Sequence, residues 1–105
     1  MPRPRCPRNI QCSPDANYFK PRGIPLSLLK EIQLAADELE ALRLADMEGL
    51  YHEKAAGKMG ISRPTFGRIL QSARKKVASA LIRGYALHLL DDQNPPPARK
   101  VDRQK

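Results

Sequence analysis

The chain has 105 residues, a formal net charge of +8 and a pI near 9.9. That length suffices for one small domain with a modest core, and the basic balance favours an anionic partner such as nucleic acid or an acidic membrane surface. No apolar run approaches the ~18 residues needed to cross a bilayer, and the arginines of the first twelve residues have no apolar core behind them, so they do not read as a secretory signal; the expected location is the cytoplasm.

Residues 1–25 hold six of the ten prolines, interleaved with arginines. A residue that precedes proline is pushed toward extended geometry, so the segment reads as an extended basic arm in which RNIQC and NYFKP are each candidate short strands. Residues 26–36 fit a helical turn or a strand, since Ile-Gln-Leu alternates. Residues 36–50 predict a first helix with Asp37 as N-cap, Glu40 completing a capping box, and Gly49 as the stop. Leu39, Leu42 and Ala45 form its apolar face, and Glu38, Glu40, Asp46 and Glu48 are expected to face outward. Residues 51–60 predict a second helix of two turns ended by Gly60. Ser62 then caps a third, with Pro64 in the first turn, where its missing N–H costs nothing. This helix runs to about Ile82, with Gly84 as its stop. Residues 85–90 alternate as a short strand would, a candidate partner for one in the arm. Residues 91–105 contain three consecutive prolines and no apolar period, and read as a disordered tail.

Two helices separated by Met-Gly-Ile-Ser match a helix-turn-helix. Ala56 is small where the helices must cross closely, Gly60 takes the positive φ of the turn, Ile61 anchors the turn, and Phe66 and Ile69 point back from the third helix. The fold expected is therefore mainly α: a small three- to four-helix helix-turn-helix domain over 26–90, with an extended N-terminal arm (1–25) and a disordered C-terminal tail (91–105).

Charge is polarised. Residues 26–50 carry six acidic and two basic side chains, whereas 51–84 carry eight basic and one acidic. If Phe66, Ile69, Leu70, Ala73, Val77 and Leu81 line one side of a helix over about 63–82, then Arg63, Pro64, Gly67, Arg68 and Gln71 face out near its N-terminus. A helix of this kind presents those positions to base edges in a major groove. Arginine pairs bidentately with guanine and glutamine with adenine, while Gly67 costs about 1 kcal/mol of helix propensity and removes a side chain where helix and DNA approach most closely. Ser62, Thr65, Arg74, Lys75 and Lys76 are the candidate phosphate contacts. Arg3, Arg5 and Arg8 alternate with prolines and suit a minor-groove arm.

The runs YFKPRGIPL and DELEALRLADMEGLYHEKAAGKMGISRPTFGRILQSARKKVASAL resemble the prokaryotic family known as domain of unknown function 134, or uncharacterised protein family 0251, over roughly residues 2–90. Residues 37–83 are also similar in pattern to the domain with which sigma factors read the −35 promoter element. The resemblance implies a helical core, helix-turn-helix DNA binding and no assigned target.

Sequence-specific binding of double-stranded DNA by a transcriptional regulator is thus the leading expectation. The alternative is a protein-interaction adaptor of the transcription machinery, RNA polymerase included, that docks through the acidic helix 37–48. Five aromatics without a stacking platform argue against RNA readout. No carboxylate pair, Cys–His pair or phosphate-cradling glycine loop supports catalysis. Cys6 and Cys12 with His52 and His88 make no four-ligand metal site; no cofactor is expected. A homodimer is compatible with this reading.

Overall fold

The computed structural model describes residues 9–11 and 13–90. Strand β1 (Tyr18–Phe19) leads through a 3-10 turn (Leu26–Leu28) to β2 (Glu31–Leu34). Helix α1 (Ala36–Leu42) continues as a wider π turn over Arg43–Met47, and is followed by α2 (His52–Met59), α3 (Arg63–Arg83) and β3 (Ala86–Leu89). The mainly helical fold expected from the sequence is present, with a three-stranded sheet added to it.

Sheet order is β1-β3-β2. β3 is central, antiparallel to β1 with Tyr18 opposite His88, and parallel to β2 with Glu31 opposite Ala86 and Leu34 opposite Leu89. The three helices form the crossover between the parallel strands, which is the long connection such a pairing demands. The ambiguous stretch 26–36 contains both of its candidate conformations in succession. NYFKP supplies β1 and YALHLL supplies β3, whereas the described part of RNIQC is not a strand: Asn9 N–H donates to Met59 O at 3.0 Å, and Gln11 N–H to Glu40 Oε2 at 3.2 Å. Both bonds tether the segment before β1 to the helices. Arg3, Arg5, Arg8, Cys6, Cys12 and the tail 91–105 lie outside the described residues.

One apolar cluster joins Ala41 and Leu44 to Ala55, Ala56 and Met59 of α2 and to Phe66 and Leu70 of α3. A second joins Leu34 and Leu89 of the sheet to Ala73. Leu42 packs against both clusters. Ala55 and Ala56 are buried where α2 meets its neighbours, so the helices approach with little side chain between them. Gly60 sits at φ +71°, and Ile61 N–H reaches back to Ala56 O at 3.1 Å, closing α2 with a left-handed cap.

Helix α1 differs from expectation in register and in exposure. Its N-cap is Ala35, not Asp37, and the residue that reaches back is Glu38, whose Oε1 accepts from Ala35 N–H at 2.8 Å. The helix starts two residues early because β2 ends at Leu34, where Leu34 O accepts from Leu90 N–H, and leaves only one residue of connection. Periodicity turns Glu38 and Glu40 outward; in the fold both are buried, as is Asp37. Leu81, on the apolar side of α3 by its spacing, is instead exposed, while Ala80 beside it is buried.

Candidate nucleic-acid interface

Helix α3 is positioned by its own sequence at both ends. Ser62 Oγ accepts from Thr65 N–H at 3.3 Å, and Pro64 lies in the first turn. At the other end Gly84 adopts φ +75°, and the N–H groups of Gly84 and Tyr85 both reach Ala80 O. Phe66, Leu70, Ala73 and Ala80 face the core. The opposite face is therefore fixed: Arg63, Pro64, Arg68, Gln71 and Lys75 are exposed, with half-buried Gly67 among them. A Cβ built on Gly67 meets nothing within 4 Å, so that position is open toward solvent.

The five base-reading candidates thus share one outward surface. Arg63, Gln71 and Lys75 make no hydrogen bond or ion pair among the described residues, while Arg68 Nη2 donates to Thr65 Oγ1 at 3.3 Å. Thr65 also accepts from the Ser62 hydroxyl at 2.9 Å. Ser62 and Thr65 accordingly serve the helix start first.

Two of the phosphate candidates are not free cations. Lys76 Nζ donates to Glu38 Oε1 at 2.7 Å and to Gln33 O at 2.9 Å. It ties α3 to α1 and β2, its long stem reaching across the helix side that the sequence assigned to solvent. Arg74 forms two hydrogen bonds with Asp46, at 2.6 and 3.2 Å, on an exposed surface. That bond from Arg74 is the main cause holding the Asp46 carboxyl below its usual range, and the same bond raises the guanidinium. Glu38 is pulled both ways. Burial pushes its carboxyl up, but hydrogen bonds from Lys76, from the Ser72 hydroxyl at 2.6 Å and from Ala35 N–H outweigh burial and hold it low.

Glu40 is gripped by the Arg43 guanidinium through two 2.9 Å bonds. Glu38 and Glu40 therefore join α1 to α3 and to the N-terminal segment, while Asp46 and Glu48 further along the 37–48 stretch stay exposed.

Sequence reasoning passed over Lys54 and Lys58. Both are exposed on α2, one turn apart with exposed Gly57 between them. Their i, i+4 spacing was the available signal. An open cleft of about 740 Å³ lies between the start of α2 and α3, lined by Tyr51, His52, Glu53, Arg63 and Arg74. His52 is not a free ring: it meets Phe66 edge-on at 5.3 Å.

The family model described as protein of unknown function DUF134 matches residues 1–91. A UPF0251 protein of Vibrio vulnificus is 50% identical over all 105 residues, covering 98% of that relative. UPF0251 proteins of Pelotomaculum thermopropionicum and Desulfosudis oleivorans are 57% and 55% identical over 89 residues, 85% of this chain. Those matches span 67% and 64% of the two relatives' own lengths. No solved structure matches the chain.

Proposed function

The chain belongs to the DUF134 family, and from that premise we propose that it binds double-stranded DNA sequence-specifically, as a transcriptional regulator whose α2–turn–α3 unit acts as a sigma-like helix-turn-helix. The observation that carries this reading is the outward N-terminal face of α3. Arg63, Arg68 and Gln71 stand exposed around a glycine that leaves the helix backbone open, directly after a tight left-handed turn. Two long donors and an amide suit base edges in the major groove, and a helix that must enter a groove gains from a missing side chain at its closest approach. Lys75 on the same face and Lys54 and Lys58 on α2 supply cations for the flanking phosphates. Arg74 joins them on release from Asp46, since an exposed pair of this kind is worth only about 0–1 kcal/mol.

Selection of bound duplexes from random sequence, followed by titration of the preferred site, tests the proposal. Replacing Arg63, Arg68 or Gln71 by Ala is expected to cost about 1–3 kcal/mol on the preferred site and much less on random DNA. Equal losses on both would reduce these residues to backbone contacts, and no enrichment of any site would end the reading.

A further inference from the structure

Among the described residues seven large apolar side chains are exposed, and five of them, Phe19, Leu26, Leu28, Leu81 and Ile82, belong to segments that converge where β3 begins. Leu81 and Ile82 are in the last turn of α3, 76% and 84% exposed. Phe19 ends β1 opposite Leu87, near the start of β3. The connection from β1 to β2, which carries Leu26 and Leu28, crosses at the same place, where Lys30 O accepts from Ala86 N–H just beyond the end of α3. Leu81 and Ile82 follow Gly67, the middle of the base-reading face, by about four turns of α3, so this end lies roughly 20 Å from that face. Five large apolar side chains left exposed on segments that converge are more than the scattered single residues of an ordinary surface.

Charge selects the occupant. Exposed Lys20, Arg22, Lys30 and Arg83 lie in the same segments, against a single exposed acid, Glu31, which is 3.7 Å from the His88 ring. A second copy would set these cations against one another. Residues 91–105 offer a single large apolar side chain, Val101, too little to fill the patch. A bilayer surface is best met by one helix with a long apolar stripe, whereas the apolar stripe of α3 is spent on the core up to Ala80 and the patch is assembled from three separate segments. We propose that this end of the domain is a docking surface for an acidic amphipathic helix of another protein, with apolar side chains on one face and carboxylates on its flanks. The surface is independent of the DNA reading.

The test titrates the full isotope-labelled chain with a synthetic four-turn helix bearing leucine on one face and glutamate on the other. Expected are amide shifts confined to residues 19–31 and 80–87, an affinity reduced about tenfold or more in Leu81→Ser/Ile82→Ser, and a clear loss in Arg83→Glu. Both variants change exposed positions, and an unaltered melt shows that they fold. The same peptide with lysine in place of glutamate should bind far more weakly. Equal binding of the two peptides overturns the proposal. So does binding of anionic phosphatidylglycerol vesicles that the Leu81→Ser/Ile82→Ser variant abolishes, or dimerisation that it abolishes, each of which would hand the patch to a different occupant.

Discussion

Gly67 separates folding from function more cleanly than any other residue in α3. A Cβ there meets nothing, so Gly67→Ala is expected to stabilise the helix by about 1 kcal/mol, a rise in melting temperature of about 4–8 °C for a domain of this size. The same methyl would stand between helix and groove, and specific DNA affinity should fall about tenfold. A variant that melts higher and binds equally well would show that α3 does not enter a groove at this position. Phe66 is the opposite kind of residue. It is fully buried, wedged between α1, α2 and α3 and against the His52 ring. Phe66→Ala should cost about 3–5 kcal/mol, most of the stability of a small domain, and thermal melting reads this directly.

At the scale of elements, α1 is bound to the rest of the molecule through carboxylates. Glu38 reaches Lys76 and Ser72 of α3, and Glu40 holds Arg43 and the N–H of Gln11. A carboxyl held below its unfolded value stabilises the fold at pH above that value and loses the contribution as pH falls through the lower, folded one. Stability should therefore be level from neutrality down to about the ordinary glutamate value of 4.5, then decline below it. Glu38→Gln should cost about 1–3 kcal/mol at neutral pH and flatten part of that acid decline, as measured by denaturant unfolding across pH. An unchanged pH profile would mean that the tie between α1 and α3 is carried elsewhere.

Across the whole molecule, chemistry is distributed between opposite ends of α3. Its N-terminus presents Arg63, Arg68 and Gln71, and its C-terminus meets the apolar, basic-rimmed end of the sheet. No helix among the described residues is long and apolar enough to cross a membrane. The start of the chain adds a third region. Residue 9 is hydrogen-bonded to the end of α2, through Met59 O, so the segment that carries Arg3, Arg5 and Arg8 joins the domain beside the turn that leads into α3. For the proposed DNA interface, Asn9 is therefore the point from which an arm would start, next to the turn before α3. Deleting residues 1–8 is expected to weaken binding and make its salt dependence shallower, by roughly one unit of slope for each phosphate that the arm neutralises, leaving the base preference of α3 unaltered. Parallel salt titrations with equal affinity for the full and shortened chains would remove the arm from the interface.

The ends of α2 and α3 were settled by sequence because their causes are local, whereas the start of α1 was shifted by where β2 ends. Gly60 and Gly84 could end their helices only by adopting positive φ, Ser62 and Pro64 could only begin one, and the three-and-four spacing of Phe66, Leu70 and Ala73 fixed which side of α3 is buried. The outward placement of Arg63, Pro64, Arg68 and Gln71 followed from that same periodicity. Tertiary structure decided what periodicity cannot encode: which charges have partners. Glu38 and Glu40 read as a solvated acidic face until Lys76 arrives from a helix 38 residues further on and Arg43 folds back over Glu40. Lys76 correspondingly leaves the basic surface, and Arg74 is held by Asp46 across 28 residues. The sheet is such a case only in part. NYFKP and YALHLL read as strands from the sequence, and they pair with each other as expected. The parallel pair joins residues more than fifty apart in the chain, and residues 26–36 are compatible with helix or strand until β3 lies beside them. Burial of a charge depends on a partner distant in sequence, and pairing of a strand depends on a neighbour; neither is a property of the segment alone.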